Sequence, residues 1–263
     1  AVGMDALSIS TTASSNTAVG YNAARNTTTG SSNTATGFCS LRSNQDGESN
    51  TAVGRSALSA NTTADNNTSV GTCSLLSNTT GTANTAVGTK AMKFTTTGAD
   101  NVAVGYQALD SNNEGACNTA IGADALGANS IGNNNTAVGK NALLANTSAD
   151  GNTAVGHSAL LKNTTGTRNT ALGSCALCNA VDVAHNTAVG ACALKNTVAG
   201  CNTAVGSCAL DTNSSGSCNV AVGAFAMDAN TTGAKNTAVG HASLVANTEG
   251  DFNVAVGLGA MQK

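Results

Sequence analysis

The chain has 263 residues, of which only 10% are charged and 2% aromatic, with neither Pro nor Trp, and its formal net charge is -3. So few and so scattered charges leave no electrostatic footprint for nucleic acid or an anionic membrane surface, and no apolar run is long enough to span a bilayer. Disorder, the other reading of such bias, does not fit regularly spaced Val and Leu.

Chain order exposes a repeat from the start. The opening Ala1-Val2-Gly3, with Ala6-Leu7, returns as Asn16-Thr17-Ala18-Val19-Gly20, and its glycine recurs every seventeen residues from Gly3 to Gly190. A single sixteen-residue step then leads to Gly206, after which the longer rhythm resumes through Gly223 and Gly240 to Gly257. The chain therefore reads as one domain, residues 1–263, built from sixteen copies of a unit that packs on its neighbours. It begins inside a copy, with no initiating Met or signal peptide, which suggests a processed product or a piece of something longer.

Numbered from its Asn, the unit opens Asn-Thr-Ala-Val-Gly. Position 1 is Asn at Asn16, Asn33, Asn50, Asn67, Asn84, Asn101, Asn118, Asn135, Asn152, Asn169, Asn186, Asn202, Asn219, Asn236 and Asn253. Position 3 is Ala except for Ser69, position 4 is apolar except for Thr36, position 8 is Ala or Ser, and position 9 is Leu or Met except for Ala24. The rest is a polar run such as Asn163-Thr164-Thr165-Gly166, and the one-residue deletion falls there, near Thr197 to Gly200.

Two short strands with a tight turn at Gly and a longer polar turn describe one coil of an all-β, parallel β-solenoid of sixteen coils. Seventeen residues are too few for a strand-plus-helix repeat, and are not a multiple of the five that a pentapeptide solenoid needs. A calcium roll would hold aspartates in one register, whereas Asp65, Asp100, Asp124 and Asp228 sit at different positions.

Stacked coils lie about 4.8 Å apart. At that spacing each position-1 amide can donate to the carbonyl of the next, so the Asn column reads as a structural ladder. Pleating puts positions 2 and 4 on one face, with Val at position 4 and Leu at position 9 filling the interior and position 8 pointing out. Restriction of an outward site to Ala or Ser implies close approach by a second surface, most simply another copy of the chain. The opposite assignment, with Ala inside a very flat coil and Val and Leu on an interface between copies, also demands an oligomer. Consensus-like first and last copies further predict end-to-end assembly into filaments.

The cysteines fall into registers: Cys39, Cys73, Cys175, Cys192 and Cys208 at position 7, Cys117, Cys201 and Cys218 before the Asn, and Cys178 alone. No CxxC pair recurs with a zinc-finger spacing, and Cys175 with Cys178 has no His ligand in register, so the columns read either as small filler or as inter-coil disulfides, pairing Cys201 with Cys218 and Cys192 with Cys175 or Cys208. Cys39 and Cys73, two coils apart, are out of reach of each other. His157, His185 and His241 have no recurrent acidic or Ser partner, so neither a catalytic site nor a cofactor is expected. Asn61, Asn78, Asn163 and Asn230 lie in glycosylation-type triplets, which repeated turn chemistry also explains.

The consensus Asn-Thr-Ala-Val-Gly-x-x-Ala-Leu-x-x-Asn-Thr-Thr-Gly, clear at Asn152 to Gly166, resembles repeats of phage and virus tail-fibre-like proteins and, more loosely, the heads of trimeric autotransporter adhesins. The resemblance implies a left-handed parallel β-roll, three chains side by side, in a stiff extracellular, cell-surface or virion stalk that meets a cell-surface or glycan receptor. The expected function is thus a non-enzymatic fibre with an attachment role. An ice-binding solenoid is the alternative, ranked second because the strand carries Thr only at position 2. A solenoid enzyme such as a polysaccharide lyase ranks third, for want of clustered Asp, Glu, Lys or Arg.

Overall fold

A computed structural model describes residues 1–262. The chain divides into two compact units, Ala1–Asn134 and Asn135–Lys263. Both are all-β parallel solenoids. The first holds β1 (Thr17–Val19), β2 (Thr34–Thr36), β3 (Thr51–Val53), β4 (Thr68–Val70), β5 (Thr85–Val87), β6 (Val102–Val104) and β7 (Thr119–Ile121). The second holds β8 (Thr136–Val138), β9 (Thr153–Val155), β10 (Thr170–Leu172), β11 (Thr187–Val189), β12 (Thr203–Val205), β13 (Val220–Val222), β14 (Thr237–Val239) and β15 (Val254–Val256). Within each unit consecutive strands pair in parallel and in register, as Thr51 with Thr68 and Val53 with Val70, while the opening copy contributes a single bridge from Val2 to Val19.

Strand pairing is only part of the stack. Beyond the Gly, the N–H groups at positions 9 and 11 donate to the following coil, as from Leu58 to Ser74 at 3.0 Å and from Ala60 to Leu76 at 3.1 Å. Those at positions 5 and 7 donate to the preceding coil, as from Gly54 to Thr36 and from Ser56 to Phe38, each at 2.8 Å. Polar-run residues join in, with Thr62 donating to Thr79 at 3.1 Å. The backbone is therefore tied to its neighbours around most of each coil, which a chain of three-residue strands needs if its amides are to be satisfied.

The expected interior needs correcting at two positions. Each strand shows its central residue, Ala or the single Ser69, buried and both flanks more exposed, so the position-4 valines face outward, Val53 at 37% exposure and Val155 at 37%. Parity explains this: the position-1 Asn is buried, and pleating then puts position 3 inside with it and positions 2 and 4 outside.

Position 8 is also inside, fully buried at Ala57, Ser74 and Ala159, alongside fully buried Leu58, Leu75 and Leu160 at position 9. These neighbours can both point inward because the segment is not a strand. Positions 7 and 9 take left-handed backbone conformations, with φ of 56° at Ser56 and 52° at Leu58, so the pleat rule does not apply. The restriction to Ala or Ser is met within the chain's own coil and requires no second surface.

The interior is thin. Where position 3 becomes Ser69, its hydroxyl reaches across to position 8, lying 2.6 Å from the Ser74 hydroxyl and donating to the Ser74 carbonyl at 2.9 Å. At the position-5 turn, φ is +132° at Gly54, and a Cβ there would lie 2.6 Å from the carbonyl oxygen of Gly71 in the next coil. Only Gly fits. The sixteen-residue copy keeps its strand in register, Thr187 opposite Thr203, because the missing residue is taken from the polar turn.

Candidate functional site

The position-1 amides form a ladder in which side chain donates to side chain at some rungs, as from Asn101 to Asn84 Oδ1 at 3.1 Å and from Asn169 to Asn152 Oδ1 at 3.2 Å, while a bond from the backbone recurs more widely. Within each unit the Oδ1 atoms accept the backbone N–H of the next Asn: Asn16 from Asn33 at 2.8 Å, Asn33 from Asn50 at 2.9 Å, and Asn152 from Asn169 at 2.9 Å. Each Nδ2 donates fourteen residues ahead to the position-15 carbonyl, as from Asn33 to Gly47 at 2.8 Å and from Asn219 to Gly233 at 2.8 Å. The same role falls to Asn50, Asn67, Asn84, Asn101, Asn118 and Asn135. Asn152, Asn169, Asn202 and Asn236 repeat it in the second unit, and Asn186, in the short copy, donates thirteen residues ahead to the Ala199 carbonyl at 3.0 Å. Asn253 closes the series by donating its N–H to Asn236 Oδ1 at 2.8 Å. One oxygen must accept while one nitrogen donates, so Asp, Ser and Gly are excluded on chemical grounds.

A second ladder, absent from the sequence reading, runs at position 12, and there too side chains bond to side chains. Asn61 donates to Asn44 Oδ1 at 2.7 Å, Asn129 to Asn112 at 2.8 Å and Asn230 to Asn213 at 2.7 Å. The same amides donate to the position-15 carbonyl, which ties the two columns together.

Where a copy lacks the Asn, the preceding amide loses its rung. Asn78 precedes Thr95, Asn163 precedes Ala180, and both Oδ1 atoms are buried without a partner, as is the Thr95 hydroxyl. In the short copy Thr197 substitutes, accepting from Asn213 at 3.3 Å. Asn61, Asn78, Asn163 and Asn230 are fully buried in this ladder, in keeping with repeated turn chemistry rather than glycosylation.

All nine cysteines are free thiols. Cys175, Cys192 and Cys208 occupy position 7 of successive coils, with Cys178 nearby. Burial, reinforced by Cys175, pushes the Cys178 thiol up to about 11, and burial followed by the neighbouring Cys208 raises Cys192. Cys201 and Cys218, at position 17 of adjoining coils, are exposed, as is Cys117. Among the described residues no group of three or more His, Cys, Asp and Glu side chains could hold a metal ion.

Carboxylates serve the coil locally. Asp182 accepts from the hydroxyls of Thr164 and Thr165 and from the Thr165 N–H at 3.0 Å, and these bonds hold its carboxyl below the usual range. Asp65 accepts the Glu48 N–H at 2.7 Å. Asp110, Asp211 and Asp228 share position 10 and are raised by burial, with the charge of Asp211 adding to the shift at Asp228.

What remains outward and repeated is the strand face. Position 2 is Thr in all strands but β6, β13 and β15, and position 4 is Val in all but β2, β7 and β10. The ridge beside it varies, from the stacked pair Tyr21 and Phe38, with ring centroids 5.3 Å apart, to Lys140 and His157. No protein-family model matches the chain, and no curated protein matches it.

Proposed function

We propose that this chain is a non-enzymatic structural protein, the shaft of a rigid extracellular or virion fibre with a surface-attachment role. One observation carries the reading: the residues repeated from copy to copy are spent on joining coils. The Asn columns bond coil to coil, the position-5 Gly permits close approach, and Ala and Leu fill a thin interior. A protein that invests its invariant positions in stacking is selected for stiffness, whereas the variable ridges are free to recognise a partner.

The sequence resemblance adds a host setting and three chains side by side. That association rests on the resemblance alone, because the Ala or Ser at position 8 is buried in its own coil. Negative-stain electron microscopy with light scattering tests the reading. Uniform stiff rods with the mass of a closed oligomer are expected, and flexible or globular particles would overturn it.

A further inference from the structure

Threonine recurs both in the polar turn and on the strands, and the two settings use the hydroxyl differently. In the polar turn the position-13 hydroxyls are consumed by the stack, with Thr62 donating to the Thr79 carbonyl at 3.1 Å, Thr79 to Thr96 at 3.1 Å and Thr231 to Thr248 at 2.8 Å, and the exposed threonines beside them, such as Thr63 and Thr80, stand in a column broken by the charges of Asp46, Glu114, Asp182 and Glu249. On the strands, the hydroxyls of Thr153 and Thr170 make no hydrogen bond to the protein. They project from the same face as the outward Val155 and Leu172.

In-register pairing turns this into a two-dimensional array within each unit. Along the stack the side chains recur about every 4.8 Å, and across the strand the Thr and Val ranks stand about 6.7 Å apart. Positions 2 and 4 carry no charge on any of the fifteen strands.

We infer that this Thr–Val face binds ice. A crystal of water presents hydrogen-bonding oxygens on a lattice that repeats in two directions at spacings of this order. A rank of free hydroxyls can continue that lattice, while the adjacent methyl groups order the water between them. Crystalline polysaccharide is the poorer partner, because sugar rings stack on flat aromatic side chains and the strands have none. A second copy is poorer too, since covering the face would bury a rank of hydroxyls that each need a new partner, at a cost for each one left unmet.

The inference is independent of the fibre reading, which microscopy tests separately. The experiment measures the freezing-point gap and the partitioning of the whole chain into a growing ice front, for the unaltered protein and for Thr153→Lys with Thr187→Lys. Ala191→Lys, on the exposed ridge where Lys140 and Arg55 already stand, is the control. Expected are a gap and faceted crystals for the unaltered protein and the control, and loss to the buffer level for the pair.

Circular dichroism checks folding. If the Lys pair fails to fold, Thr153→Val with Thr187→Val replaces it, since Val102 and Val220 occupy the same position, and a smaller gap is expected. No gap in the unaltered protein overturns the inference, as does a gap that survives both pairs. Absence of a gap with pull-down on crystalline cellulose, or with self-association that the Lys pair abolishes, would reassign the face to polysaccharide or to a second copy.

Discussion

Thr95 interrupts a column of amides and leaves Asn78 Oδ1 and its own hydroxyl buried without partners. The flanking residues are ready for an amide: Asn112 sits one coil on, its Nδ2 held only by the Gly115 carbonyl at 2.8 Å. Thr95→Asn should therefore donate to Asn78 and accept from Asn112, stabilising the fold by about 1 kcal/mol, read as a raised chemical-denaturation midpoint. An unchanged or lowered midpoint would contradict the ladder.

Charge gives a second residue-scale test. Burial, then Asp211, raises the Asp228 carboxyl, so its folded pKa lies above the unfolded value of about 3.9. The folded state then binds the proton more tightly, and the stability this supplies is present below the unfolded pKa and lost as pH rises through the folded one. Asp228→Asn should stabilise the protein at pH 7, by a small amount because solvent screens this half-exposed group. Below about pH 3.5 the difference should vanish, as denaturation curves at the two pH values would reveal.

At the scale of the element, the coil assigns opposite fates to its two large apolar residues. Leu160 is fully buried and Val155 is 37% exposed, so Leu160→Ala should cost about 2–4 kcal/mol and Val155→Ala under 1 kcal/mol. Equal costs in thermal unfolding would restore the two-strand coil with both side chains inside. The coil, its parallel stacking and its period were legible in the sequence because they depend on spacing, and the spacing of Gly20, Gly37 and Gly54 admits few alternatives.

The facing was misread because hydrophobicity was weighed above parity. Asn50 pointed the way, since a buried position 1 forces Ala52 inward and Val53 outward. The second amide column was overlooked because Thr95, Ala180 and Thr197 break its pattern. No sequence rule announces the left-handed residues at Ser56 and Leu58, for which Gly would ordinarily be expected.

The sulfur columns are also an element-scale matter. Cys201 and Cys218 share a register in adjoining coils and are exposed, a spacing compatible with a disulfide. Mild oxidation followed by non-reducing peptide mapping should link them. Cys178, buried with its thiol held up to about 11, should remain alkylatable only after unfolding.

For the whole molecule, stacking without a central core makes whole copies dispensable. Removing residues 152–168 would bring the coil before into contact with an equivalent coil after it, in the same register as Thr136 with Thr153 and Thr153 with Thr170. Such a chain should keep its circular dichroism per residue and a cooperative unfolding transition, whereas removal of eight residues from the same copy should abolish protection from hydrogen exchange around the cut. Survival of the eight-residue deletion with full protection would argue against strict register.

The short copy between Asn186 and Asn202 extends this tolerance into heredity. It loses one residue, yet Asn202 still donates its N–H to Asn186 Oδ1 at 2.9 Å and the strands still pair. Near-identical copies in a gene invite unequal crossing-over, which adds or removes whole repeats. Because every such exchange restores the same contacts, it would alter the protein by increments of about 4.8 Å per coil and leave its cross-section alone. Recombination thereby becomes a means of adjusting reach, and a lineage can lengthen or shorten this protein without passing through a misfolded intermediate.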